Sequence, residues 1–175
     1  MDLVVGLVTD LHFGPEASFG GKLRKLTAQA PALLEAFVER MNREVRPDVV
    51  INLGDDLEDE SHEADRRRYG EVMAILGRLD APVLHVAGNH DTVYLGPSDL
   101  ASMWGKAPES PLYYATDVGG YHLVVLHTQE QKDVSVRIDD AQLAWLESDL
   151  AAAGAPVLVF MHHSAADQHL VGNRW

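Results

Sequence analysis

Five short, continuous apolar runs punctuate the chain, at residues 3–8, 49–53, 83–87, 122–126 and 156–161. Runs of this length without alternation are the pattern of strands covered on both faces. The segments between them repeat their apolar residues every three or four positions. From Pro31, Leu33, Leu34, Phe37, Val38 and Met41 form one such face, and within 67–79 so do Val72, Ile75, Leu76 and Leu79. Asp139 precedes Leu143, Leu146 and Leu150 with Gln142 three residues on, which predicts a capped helix start, and Gly154 is expected to stop that helix. Strands alternating with helices predict an α/β fold with a largely parallel sheet. Residues 112–116 and the run after Gly119-Gly120 read as a hairpin, so part of the sheet is expected to be antiparallel.

At 175 residues the chain has the length of a single domain spanning 1–175, and 46% hydrophobic with 23% charged residues is globular composition. No apolar run approaches the roughly 20 residues of a membrane span. Cysteine is absent, which excludes disulfides, thiolate catalysis and Cys-based zinc sites; a cytoplasmic location is the simplest expectation. With 27 Asp and Glu against 14 Lys and Arg the net charge is −13, so a nucleic-acid or anionic-lipid partner is disfavoured. A small phosphorylated substrate stays open if bound metal reverses the local field. Seven acids between Asp55 and Asp65, without a base among them, read mostly as a solvated loop entering a helix.

In α/β sheets, ligands bind beyond the carboxyl ends of the strands. Asp10-Leu11-His12 follows the first run, Gly54-Asp55-Asp56 the second, Gly88-Asn89-His90-Asp91 the third and His162-His163 the last. Asp10 and His12, two apart in extended chain, are expected to face one point. Singly, Asp10 or Asp55 reads equally as a cap or turn residue, Asn89 as a turn residue and His162 as a packed histidine. Together they mix carboxylate, amide and imidazole, a donor set for Mn, Fe, Zn or Ni rather than calcium. No serine sits in a plausible triad.

The ordered blocks Asp10-x-His12, Gly54-Asp55, Gly88-Asn89-His90-Asp91 and His162-His163 resemble those of the calcineurin-like metallophosphoesterases, most of all the bacterial cyclic-nucleotide and glycerophosphodiester phosphodiesterase branch. The resemblance spans the chain. It implies a four-layer α/β/β/α sandwich with mixed sheets and two divalent or trivalent transition-metal ions. By the same resemblance Asp10 and His12 hold the first ion, Asp55 bridges, and Asn89 and His162 hold the second. His90 stands over the substrate as acid, with Asp91 orienting it. The implied chemistry is attack of a metal-bridging hydroxide on phosphorus, with a proton from His90 to the leaving oxygen.

One block of that family, Gly-His-x-His, has no counterpart here: the chain has no Gly-His dipeptide and no two histidines two residues apart. A partial form of a longer phosphoesterase is therefore expected. The other readings are a second copy donating the missing donors in a homo-oligomer, or substitution by His163 or His169. Unless water or a partner fills in, the second ion is expected to bind weakly. A binding or scaffold domain that keeps the fold without turnover is the contrasting function class. His62, His85, His122 and His127 read as structural or solvated. Gly20-Gly21-Lys22 fails as a phosphate loop because Leu23 replaces the required Ser or Thr.

Overall fold

The computed structural model describes residues 2–16, 18–23, 25–133 and 135–164. In chain order the strands are β1 (Val5–Val8), β2 (Ser18–Phe19), β3 (Lys22–Leu23), β4 (Val49–Asn52), β5 (Val83–His85), β6 (Tyr114–Val118), β7 (Tyr121–Val125), β8 (Gln129–Glu130), β9 (Val136–Arg137) and β10 (Val157–Phe160). The helices are α1 (Ala30–Arg40), α2 (His62–Leu76), α3 (Pro97–Met103) and α4 (Asp140–Ala152). All five apolar runs contain or overlap a strand, and in four of them, all but 3–8, the strand ends one or two residues before the run does.

Two three-stranded sheets result. The first, in the order β1-β4-β5, is wholly parallel; the second, β10-β7-β6, pairs β10 with β7 in parallel and β7 with β6 antiparallel across the Gly119-Gly120 turn. β2–β3 and β8–β9 are separate two-stranded ribbons. The sheets face each other. Val49 and Ile51 of β4 meet Leu123 and Val125 of β7 in one fully buried cluster, joined by Val5, Leu84, Leu158 and Phe160. Alternation sends Val50 and Val124 to the opposite faces, and both are also fully buried. Beyond the first sheet, α1 and α2 contribute Leu34, Val72 and Leu76, packed against Val8, Leu11 and Phe13. Beyond the second, α4 sets Trp145 against Tyr113, with ring centroids 4.9 Å apart. The layers therefore run helix, sheet, sheet, helix, as the family resemblance implied.

Three local expectations change. α2 begins at His62, earlier than its apolar face suggests, because Ser61 caps it by accepting the Ala64 N–H at 3.3 Å. α4 is capped by Asp139, which accepts the Gln142 N–H at 2.8 Å, but the Gln142 side chain does not reach back. Instead it is fully buried and bonds both the N–H (2.8 Å) and the C=O (2.9 Å) of His127, replacing a strand neighbour just past β7. Nor does Gly154 stop α4: Ala153 already turns to extended geometry, at φ −64° and ψ 121°. A side chain also closes the edge of β5, where the Tyr114 hydroxyl accepts from His85 N–H at 2.9 Å and donates to His85 C=O at 3.0 Å. Among the described residues, no helix is long and apolar enough to cross a membrane.

Candidate metal centre

The parallel ladder between β1 and β4 does not end with the strands. Leu53 N–H bonds Val8 C=O, Asp10 N–H bonds Gly54 C=O, His12 N–H bonds Asp55 C=O and Phe13 N–H bonds Asp56 C=O, all at 2.8–2.9 Å. Along this extension Asp10 (φ 55°), His12 (φ 47°) and Asp55 (φ 56°) are left-handed, a conformation costly for residues with a Cβ. Asp10 and His12 therefore do not converge by strand alternation, as the sequence suggested; the twist of two left-handed residues brings them together. His12 Nε2 lies 3.6 Å from Asp10 Oδ1 and 3.6 Å from Asp55 Oδ2.

The loop after β5 packs directly against the one after β4. Gly54 has φ 92°, and a Cβ there would come 2.4 Å from Gly88 N; a Cβ on Gly88 would come 2.2 Å from Asp55 Oδ1. Only with glycine on both sides can the loops approach so closely. The contact puts the Asn89 amide beside His162, its Oδ1 3.1 Å from Nε2, and lets the His90 N–H bond Asp55 Oδ1 at 3.0 Å. His162 arrives from the end of β10. Its Nδ1 faces the Leu53 carbonyl at 2.9 Å, which makes Nδ1 the protonated nitrogen and turns Nε2 toward Asp55 Oδ2 at 3.5 Å.

One carboxylate, Asp55, thus lies between two imidazoles, with Asp10 on one side and Asn89 on the other. In their neutral-imidazole and carboxylate forms all offer lone pairs, and at separations of 3.1–3.6 Å they favour positive charge among them, whether a ring proton or a metal ion. The protein's own electrostatics express the same demand. Burial opposes a charge on His162, but the nearby carboxylate of Asp55 outweighs it and pushes the imidazole up to about 9. The neighbouring His12 imidazole holds Asp10 down at about 2 against burial. Ligand atoms of His12, Asp55 and His90 also lie within 4.8 Å of one another. The donor set fits transition-metal ions.

Two expectations about the surrounding residues are corrected. Asp91 does not orient His90. It is fully buried, and its two oxygens accept the backbone N–H groups of Asp55 (2.9 Å), Asp56 (2.9 Å), Leu57 (3.2 Å) and Gly88 (3.0 Å). Asp59 meets His90 instead, with Oδ1 2.5 Å from Nδ1. Nor is the acidic run a solvated loop throughout. Asp56 and Asp65 are fully buried, Asp55 nearly so, and Glu58 and Asp59 are half-buried against His12 and His90. Glu58, Asp59 and Lys25 were missed by sequence reasoning; adjacent acids closely following a strand-end ligand were the one available signal.

His163 leans edge-on against His162, with ring centroids 4.8 Å apart, and its Nδ1 is 2.8 Å from Thr128 Oγ1. His169 lies outside the described residues. His127 is tied by its backbone to Gln142, and His62 pairs with Asp99 on the surface. His85 stacks on Trp104, and burial drives its imidazole down to about 4. A cleft of about 250 Å³ opens beside Asn89 between Thr92, Val93 and Lys132. The cavity of about 470 Å³ between Met41, Arg46, Asp48 and Asp80 lies at the opposite ends of the parallel strands.

Known proteins are similar to this chain in sequence or fold. Glycerophosphodiester phosphodiesterase GpdQ of Enterobacter lignolyticus is 33% identical over 124 residues, covering 67% of this chain and 42% of that protein. A cAMP/cGMP dual specificity phosphodiesterase of Mycobacterium tuberculosis is 28% identical over 158 residues, 87% of this chain and 48% of that protein. The chain spans less than half the length of either relative. The crystal structure of a dimetal phosphatase from Danio rerio superposes with a TM-score of 0.72 over 92% of this chain and 70% of that one, at 21% identity. That likeness shows the fold, and within it His12, Asp55 and His90 form a group whose ligand atoms could hold a metal ion. The family model for calcineurin-like phosphoesterases matches residues 3–174, and the chain belongs to that family.

Proposed function

We propose that this chain is a metal-dependent phosphoesterase acting on small phosphodiesters. Asp10, His12 and Asp55 would hold one ion, and Asp55, Asn89 and His162 the other, with His163 supporting His162. The observation that carries the reading is the position of Asp55 Oδ2, 3.6 Å from His12 Nε2 and 3.5 Å from His162 Nε2. When bound, Mn, Fe, Zn or Ni ions would supply positive charge to the phosphoryl oxygens and acidify water. The chain's own residues do the rest. Asp59 accepts a hydrogen bond from Nδ1–H of His90, so in the imidazolium the Nε2–H is the proton that passes to the leaving alkoxide as its bond to phosphorus breaks, leaving neutral imidazole. Asp91 contributes by holding the Asp55 loop rather than by touching substrate.

The phosphodiesterase names of the relatives support a diester substrate, and the −13 net charge favours a small one over nucleic acid. Three left-handed ligand positions are a cost that a scaffold domain has no use for. Residues 1–175 are read as one unit, and a cytoplasmic location belongs to the same reading. The Asn89–His162 side is expected to bind its ion more weakly; if a second copy supplies donors, specific activity will rise with protein concentration.

The test is to strip the protein of metal, add back Mn, Fe, Zn or Ni singly, and follow hydrolysis of bis(p-nitrophenyl) phosphate. Metal-dependent turnover that disappears in Asp55→Ala is expected. Absence of metal binding and of turnover with all four ions overturns the proposal.

A further inference from the structure

The two ring nitrogens of His12 face different worlds. Nε2 looks toward Asp10 and Asp55, whereas Nδ1 looks toward Glu58 Oε2 at 3.1 Å and Lys25 Nζ at 3.2 Å. Lys25 and Glu58 are themselves paired at 2.7 Å. A neutral imidazole carries one ring proton, and these two neighbours ask for it on opposite nitrogens. Glu58 accepts a hydrogen bond, so it favours the proton on Nδ1 and leaves the Nε2 lone pair free for an ion. Lys25 donates, so it favours a bare Nδ1 and a proton on Nε2, which then cannot ligate.

The backbone fixes this competition in favour of Glu58. Glu58 N–H bonds Phe13 C=O at 3.2 Å, and its Cβ and carbonyl fill the space above Gly14, where any Cβ would come within 2.6 Å of both. Glu58 is thereby held against the chain immediately after His12. Lys25, which follows the β2–β3 ribbon, spends its shortest contact on the same Glu58 oxygen.

We propose that Glu58 is the positioning residue that sets His12 in its metal-binding tautomer, and that Lys25 is an opposing donor that Glu58 keeps occupied. The inference rests on His12 being a metal ligand. It makes an unusual demand: loss of Glu58 harms metal binding chiefly because Lys25 remains, so loss of Lys25 repairs it.

The experiment measures Mn²⁺ affinity of metal-stripped protein by competition with a fluorescent chelator at fixed pH. His12 tautomer is read in the same metal-free samples from nitrogen-15 imidazole NMR. Glu58→Ala is expected to weaken Mn²⁺ binding about 10- to 100-fold and to move the His12 proton from Nδ1 to Nε2. Glu58→Gln, whose amide oxygen still accepts from Nδ1, retains most of the affinity and the original tautomer. Lys25→Met placed on Glu58→Ala recovers most of the loss. Circular dichroism establishes that each variant is folded, and Glu58→Gln carries the test if Glu58→Ala is not. The positioning role is overturned if His12→Ala abolishes binding while Glu58→Ala leaves affinity and tautomer unchanged. It is equally overturned if the Lys25→Met double variant is as weak as Glu58→Ala. If His12→Ala itself leaves Mn²⁺ binding intact, the assignment of His12 as a ligand falls instead.

Discussion

The carboxylate of Asp91 grips the backbone of Asp55: Oδ2 accepts the Asp55 N–H at 2.9 Å, and Oδ1 accepts the next N–H, that of Asp56, at 2.9 Å. A buried side chain four-fold bonded to loop N–H groups is a splint for the loop that carries the Asp55 carboxylate. Asparagine has nearly the same shape but turns an NH2 group toward two of those donors. Asp91→Asn is therefore expected to destabilise the protein by about 2–4 kcal/mol and to lower metal content, measured by urea unfolding and elemental analysis. A variant of normal stability with only a reduced kcat would restore the direct role in catalysis that the sequence suggested.

Gly88 is expected to be intolerant of a single methyl group. Its Cβ would meet Asp55 Oδ1 at 2.2 Å and Asp55 N at 2.3 Å, and both belong to a loop tied down on its other side. Gly88→Ala should cost about 2–3 kcal/mol and release metal, whereas Gly154→Ala, with nothing within 4 Å, should change stability by less than about 0.5 kcal/mol. Thermal melts of the pair decide it, and equal stabilities would mean that the two loops do not need to touch.

His90 and Asp59 should behave as a unit in turnover. His90→Asn is expected to lower kcat about 10²- to 10⁴-fold with metal content unchanged, and Asp59→Asn to lower it in the same direction by a smaller factor. The double variant should be little worse than His90→Asn alone. Because a ligand atom of His90 lies within 4.8 Å of those of His12 and Asp55, loss of metal from His90→Asn would instead reassign it as a ligand.

A pH dependence is expected far from the metal centre. His122 of β7 places Nδ1 2.6 Å from Asp117 of β6 and Nε2 2.8 Å from Asp149 of α4. Both nitrogens can donate only in the imidazolium, and these two carboxylates, Asp117 foremost, raise the His122 value above the ordinary 6.5. The clamp therefore contributes fully below about pH 6.5 and is lost as the pH rises through the higher value of the folded state. The melting-temperature difference between wild type and His122→Gln should be largest in mildly acidic buffer and shrink toward pH 9. Amide exchange in α4 should quicken over the same range in wild type only. A difference that is flat with pH would refute the imidazolium clamp.

The sequence revealed where the site would be more readily than how it is held. Apolar runs ending in Asp10, Asp55, Asn89 and His162 were legible because both sheet faces demand continuous burial and the chemistry must sit just past the ends. The supporting residues were not. Glu58 and Asp59 differ by one position, yet one serves His12 and the other His90, and only the path of the loop after Asp55 decides which. Gln142 was read as the partner of its own helix cap because its spacing from Asp139 fits; the unpaired backbone of His127 claims it instead. Asp10 and His12 were expected in extended chain, and nothing in their neighbours' side chains announces a left-handed turn at each.

Those left-handed positions carry an evolutionary consequence. At Asp10, His12 and Asp55 the backbone asks for glycine, and the chain places there the side chains of its metal centre. Glycine would relax local strain at each of them while removing a donor. Selection for thermal robustness alone would thus push this protein toward sturdier descendants that lack those side chains.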